Sequence, residues 1–242
     1  MLEAAGWGLV AGSSLLIGAA IGVWVKLPAR VIGLILAFGA GTLVSALTFE
    51  LTDEAYALGG ADAVAIGLAL GALTFYAGNT AIARRGGEMR MSHTGEQADG
   101  SARALLLGAI LDGIPESVVI GITLLDGGEI GIAVLGAVFL SNLPEGLSSS
   151  AGLMRAWHSM ARVLGVWALV TLVCGIASAL GFGLLEGASG NTIGLINAFA
   201  AGAVLTMLSS VMFPEAIRHG GGAVGLLTVL GFAAAFLLTT MA

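Results

Sequence analysis

Apolar runs of about twenty residues, each long enough to cross a bilayer core as a helix, recur along the whole chain. Eight can be marked, at about 5–25, 31–52, 62–83, 103–125, 130–153, 160–185, 192–216 and 222–242, with ends placed to within about two to four residues. The joints are short and polar, as in Lys26 to Arg30 and Leu125 to Glu129. A longer polar stretch, Arg84 to Arg103, reads as a flexible loop. The pattern predicts an all-α integral membrane protein with one transmembrane domain over residues 1–242. Helices 1–3 fall at about 5–83, the loop at about 84–102, helices 4–5 at about 103–153 and helices 6–8 at about 160–242.

The same pattern contains a repeat. Gly33 to Gly60 aligns without gaps to Gly194 to Gly221, and 12 of the 28 positions are identical. The shared residues include Gly33/Gly194, Phe38/Phe199, Gly41/Gly202, Glu54/Glu215 and Gly60/Gly221, more than low-complexity apolar sequence supplies by chance. Helix 2 is therefore in register with helix 7. Five steps separate them, so they cross in opposite senses, and helices 1–3 and 6–8 are expected to be inverted repeats around helices 4 and 5. Transporters built in this way bind substrate near the bilayer midplane, at the repeat interface.

Composition agrees with the pattern. The chain is 57% hydrophobic and 10% charged, against about 25% charged for a soluble domain. Its 39 glycines suit closely approaching membrane helices. The first apolar run lacks the positive start and cleavage site of a signal peptide, so it reads as a retained helix. All nine Lys and Arg fall on one side of an eight-helix arrangement, at Lys26, Arg30, Arg84, Arg85, Arg90, Arg103, Arg155, Arg162 and Arg218. Asp53, Glu54, Asp62, Asp126, Glu129 and Glu186 fall towards the other. The positive-inside rule then places the chain in the cell membrane with both termini outside and the 84–102 loop cytoplasmic. Cys174 is the single cysteine, which excludes a disulfide framework or a thiolate cluster. A net charge of −6 without a basic cluster argues against nucleic acid.

Candidate chemistry sits in the two middle helices. Helix 4 carries Asp112 and Glu116, four residues apart and so on one face. Helix 5 carries Ser141, Asn142 and Glu145. Aligning Pro115 with Pro144 superimposes Leu-Asp-Gly-Ile-Pro-Glu on Leu-Ser-Asn-Leu-Pro-Glu. Each proline frees the carbonyl four residues earlier, Leu111 or Leu140, which can bind a cation if it lines a cavity. Loops would also explain these residues, but Ala104 to Leu111 is too short to span. The glutamates could also be structural, protonated or hydrogen-bonded to a neighbouring helix. Intramembrane acids are functional by default, and no Lys or Arg lies at this depth to pair with them. The missing charge is expected from protons or a cation. Oxygen ligands without thiolate or imidazole suit a hard or borderline divalent ion. His93 falls in the loop, while His158 and His219 lie near helix ends; Met207 and Met212 read as packing residues.

The eight spans, the loop after helix 3 and the paired Pro-Glu motifs resemble the ZIP (Zrt-/Irt-like) metal transporters over nearly the whole chain. Ser141 to Gly146 is similar to the family's His-Asn-x-Pro-Glu-Gly motif, and Phe38 to Leu51 and Phe199 to Ala216 also resemble family segments. The resemblance implies a 3+2+3 inverted repeat and uptake of zinc, iron or manganese through a site between helices 4 and 5. It implies Asp112, Glu116, Ser141, Asn142 and Glu145 as metal ligands, with Glu50 and Glu215 near the outer part of helix 2 and the inner end of helix 7, on entry and exit routes; solvation at the membrane boundary explains those two acids equally well. Asp112, Gly113 and Ser141 stand where the family has histidine or asparagine, and helix 6 lacks an acid that many members carry. Loss of imidazole favours harder ions such as manganese or iron(II), or weakens binding.

The leading expectation is a divalent-metal permease, not an enzyme, with the transported metal and the lipid bilayer as partners and a homodimer left open. No phosphate-binding Gly-rich loop is present for ATP to drive it. A second reading is a ZIP-like protein that has lost metal transport and acts as a proton-linked carrier or binding protein. A third, an intramembrane enzyme built on Ser148 to Ser150, lacks a midplane histidine to activate a serine.

Overall fold

The computed structural model describes residues 1–87, 102–125, 130–156 and 159–241. Most of the expected 84–102 loop lies outside these residues, as do Arg90, His93, Asp126, Glu129 and His158. Every regular element among the described residues is helical. In chain order they are α1 (Leu2–Trp24), α2 (Ala29–Ala46), α3 (Asp53–Ile82), α4 (Ala102–Thr123), α5 (Ile132–Arg155), α6 (Met160–Leu185), α7 (Gly190–Met207), α8 (Phe213–Gly220) and α9 (Val224–Met241). Six tracts are long and apolar enough to cross a membrane: Leu2–Trp24, Ala29–Arg85, Leu106–Thr123, Ile132–Arg155, Met160–Leu185 and Gly190–Met241.

Two of those tracts hold the repeat, and its copies share local structure. Each contains a π-helical turn at the same aligned place, Leu47–Thr52 between α2 and α3 and Leu208–Met212 between α7 and α8. Each is then bent at an aligned glycine. Gly60 has φ 69° and ψ −173°, and Gly221 has φ 66° and ψ −154°, a backbone region essentially reserved for glycine. Different chemistry produces the two π turns. Pro214 lacks the N–H that would continue a regular ladder from α7. Its counterpart in the first copy is Asp53, and there the Thr52 hydroxyl donates to the Leu47 carbonyl at 2.7 Å. The expected joint at residues 53–61 is mostly helix, because the chain turns at one residue rather than through a loop.

Packing rests on glycines whose missing side chains let backbones touch. A Cβ on Gly33 would meet Gly220 N at 2.7 Å and Ala216 O at 3.1 Å. A Cβ on Gly194 would meet Ala55 O at 2.8 Å and Gly59 N at 3.0 Å, which are the repeat partners of the same atoms. Gly41 and Gly231 likewise bring α2 against α9, as Gly202 and Gly71 bring α7 against α3. Helix α1 seats Gly18 on Leu143 of α5, and Gly146 returns onto Leu15. Helix α6 seats Gly181 on Val118 of α4, and Gly121 returns onto Ser178.

The outer surface is more apolar in character than a soluble protein tolerates. Leu184, Leu226, Val229, Leu73 and Tyr76 are all more than 60% exposed, while the interior is largely Ala, Gly and Ser. These contacts also sort the ends. Gly22 against Ala151 and Gly33 against Gly220 bring Lys26, Arg30, Arg155 and Arg218 to one end, and Gly59 against Asn191 marks the opposite one.

Candidate functional site

Both middle helices run unbroken through their prolines, α4 through Pro115 and α5 through Pro144. The loop explanation of the acids is therefore excluded. Asp112, Glu116, Ser141, Asn142 and Glu145 are all buried, at 5% exposure or less. Ser117 and Ser148 to Ser150 extend the same polar stripe inside the protein. The sequence singles out Ser148 to Ser150 only as possible nucleophiles and gives no signal for Ser117, because single hydroxyls are common in membrane helices, where many bond back to their own ladder. Ser117 does so to Gly113 O at 2.7 Å and Ser141 to Val138 O at 2.9 Å, which leaves their oxygen lone pairs facing outwards from the helix.

Glu116 is the unusual member. Neither carboxylate oxygen has a hydrogen-bond partner. Its side chain lines a cavity of about 20 Å³ whose other walls are apolar: Leu43, Ala46, Leu47, Leu51, Val119, Val134, Val138 and Val204. That volume holds about one water or one small ion. Asp112 stands one turn away on the same helix, so two buried carboxyl groups share one stretch of α4.

Cys174 of α6 packs against α4 beside the acids. Its sulfur lies 3.2 Å from where a Cβ on Gly113 would stand, on the stretch of α4 that carries Ser117 and Glu116. Sequence reading set this residue aside because it is the chain's single cysteine. Its place beside the acids follows from α6 crossing α4, which no local signal in the sequence encodes.

Ligand convergence is limited. Among the described residues, no three His, Cys, Asp or Glu side chains gather around one point. Of the five residues expected as ligands, Glu116 alone lines the small cavity; Asp112, Ser141, Asn142 and Glu145 are buried on the same two helices but are not among its walls. Glu215 is not a solvated interfacial acid. It is buried and pairs with His219 Nε2 at 3.5 Å within α8. Glu50 sits in the first π turn, half-buried, with Oε1 enclosed and unbonded. Met207 and Met212 pack in the core, Met212 close to Gly39 and the Pro144 region.

Fold and composition together are those of a helical membrane protein. No protein-family model and no curated protein matches this chain.

Proposed function

We propose that this chain is a ZIP-like transporter that moves a divalent metal cation, zinc, iron or manganese, towards the cytosol. The transport site lies near the midplane, on α4 and α5. The observation that carries the reading is Glu116: a mid-helix carboxylate with both oxygens unbonded, at a cavity of about 20 Å³ with no other polar wall. An uncompensated buried carboxyl is costly in either protonation state, and a partner arriving from outside is the physical reason to retain one. Asp112 and Glu145 supply further charge, and Ser141 and Asn142 neutral oxygens. With no imidazole in the set, the preferred ion is a hard or borderline one.

The topology proposed for this function has eight crossings. The tracts Ala29–Arg85 and Gly190–Met241 hold 57 and 52 residues. As straight helices they would extend about 85 and 78 Å, far beyond the roughly 30 Å core, so each crosses twice with its turn at Gly60 or Gly221. Reciprocal glycine packing supports a 3+2+3 inverted repeat: Gly33 against Ala216 and Gly220, Gly194 against Ala55 and Gly59. The basic end marked by Lys26, Arg30, Arg155 and Arg218 is taken as cytoplasmic, with both termini outside.

Proteoliposome uptake of labelled manganese, iron(II) and zinc tests the reading. Wild-type protein should accumulate metal, with the harder ions favoured, and a Glu116→Ala, Glu145→Ala double variant should not. Normal uptake by the double variant would sink the site assignment. The proton-linked alternative draws support from one observation, the lack of three converging His, Cys, Asp or Glu side chains among the described residues. It predicts no metal binding at micromolar concentration in a titration of the purified protein.

A further inference from the structure

The repeat offers an internal control on which buried polar groups the fold requires. Gly33 and Gly194 occupy equivalent packing positions, so the residues three places on, Leu36 and Asn197, stand at equivalent places in α2 and α7. Both are fully buried. Leu36 sits in an apolar cluster. Asn197 is an amide with neither its oxygen nor its nitrogen bonded. Architecture alone is satisfied by leucine at this position, and an orphaned amide costs about 1–3 kcal/mol. A polar group retained at that cost calls for a partner.

The first π turn shows the same asymmetry. Glu50, with Oε1 enclosed and unbonded, is the repeat counterpart of Val211. Both odd polar residues lie towards the same end of the molecule, the one where Gly59 meets Asn191. From the Ala55–Gly194 contact, Glu50 is five residues back along its helix and Asn197 three residues onward along the antiparallel α7. Their depths therefore differ by only about 3 Å at 1.5 Å per residue. The elements touch, because α7 packs on the π turn and Leu51 shares a cluster with Ala200 and Ala201. Along α7, Asn197, Ala201 and Val204 follow at helical spacing, and Val204 is a wall of the Glu116 cavity. Seven residues separate Asn197 from Val204, about 10 Å of rise.

We propose that Asn197 and Glu50 form a second cation site, one to two turns from the Glu116 cavity at the Gly60 end, which holds a divalent ion with part of its water shell before it reaches Glu116. The Asn197 oxygen accepts from, or directly ligates, the hydrated ion, and its NH2 donates to a shell water. Glu50 supplies charge without the stronger desolvation of the inner site. Val211 and Leu36 leave the equivalent place in the other half-repeat apolar, so the second site exists at one end only. The inference rests on the transport reading and deepens it.

The repeat also supplies the test variants, Asn197→Leu and Glu50→Val, each placing in one copy the residue that the other already accommodates. Wild-type and variant proteins are reconstituted, and initial manganese uptake is measured against concentration, with thermal unfolding in detergent recorded in parallel. The expected result is a KM raised about tenfold in each variant, a maximal rate within about twofold of wild type, and an unfolding midpoint unchanged or higher for Asn197→Leu. An unaltered KM in both variants, beside active wild type and inactive Glu116→Ala, overturns the second site and leaves the transport reading standing. A lower midpoint for Asn197→Leu also overturns it, because the amide would then hold the fold together. Wild-type protein without uptake of manganese, iron(II) or zinc sinks both proposals.

Discussion

Replacing Glu116 by methionine separates a functional carboxyl from a structural one by the sign of a stability change. Methionine has nearly the same length and volume, so the cavity of about 20 Å³ is not enlarged by a missing side chain. The new side chain would meet Leu43, Leu47, Val119, Val134, Val138 and Val204, all apolar. What is lost is a carboxyl with both oxygens buried and unbonded. Relieving an unsatisfied buried polar group is worth about 1–3 kcal/mol. Glu116→Met is therefore expected to be more stable than wild type in metal-free detergent by about 1–3 kcal/mol, read from chemical or thermal unfolding followed by tryptophan fluorescence. It is also expected to lose metal uptake and any metal-induced stabilisation. A variant destabilised by more than about 1 kcal/mol would refute the reasoning, since Glu116 would then have bonded partners that stabilise the fold. Retained uptake would refute the functional half.

Other positions give further expectations. Gly60→Ala and Gly221→Ala place a Cβ in a backbone region with φ near +70°, and each should lower stability by about 1–3 kcal/mol in unfolding titrations, with Gly165→Ala as a control that meets nothing within 4 Å. Gly181→Ala would set a Cβ 2.6 Å from the Val118 carbonyl, a backbone atom that cannot rotate away, so α4 and α6 must part and a loss of about 1–3 kcal/mol is expected in the same assay. His219→Ala removes the partner 3.5 Å from buried Glu215 and should destabilise by about 1–2 kcal/mol, with Glu215→Gln, His219→Ala recovering part of the loss in a double-mutant cycle.

The sequence by itself determined the helical class, nearly all the helix positions and the repeat. Those properties are local or periodic: a twenty-residue apolar run is a helix in a bilayer whatever its neighbours are, and aligned Gly33 and Gly194 do not depend on knowing what they touch. The acids of α4 and α5 were legible for the same reason, since a carboxylate inside an apolar run stands out without coordinates. Where the expectations differed, tertiary structure decided. The turn at residues 53–61 proved to be one left-handed glycine within helix, and Glu215, for which interfacial solvation and a place on a route stood level, is buried against His219. Tertiary contact alone set Cys174 beside Gly113 and Ser117, because α6 and α4 are brought together by Gly181 and Gly121, sixty residues apart in the chain. It alone also separated Glu116 and Asn197, whose polar atoms are orphaned, from hydroxyls such as Ser141 that bond back to their own helix. Sequence shows where a polar group enters an apolar helix. Whether that group is satisfied depends on atoms from other helices, and only the packed structure fixes those.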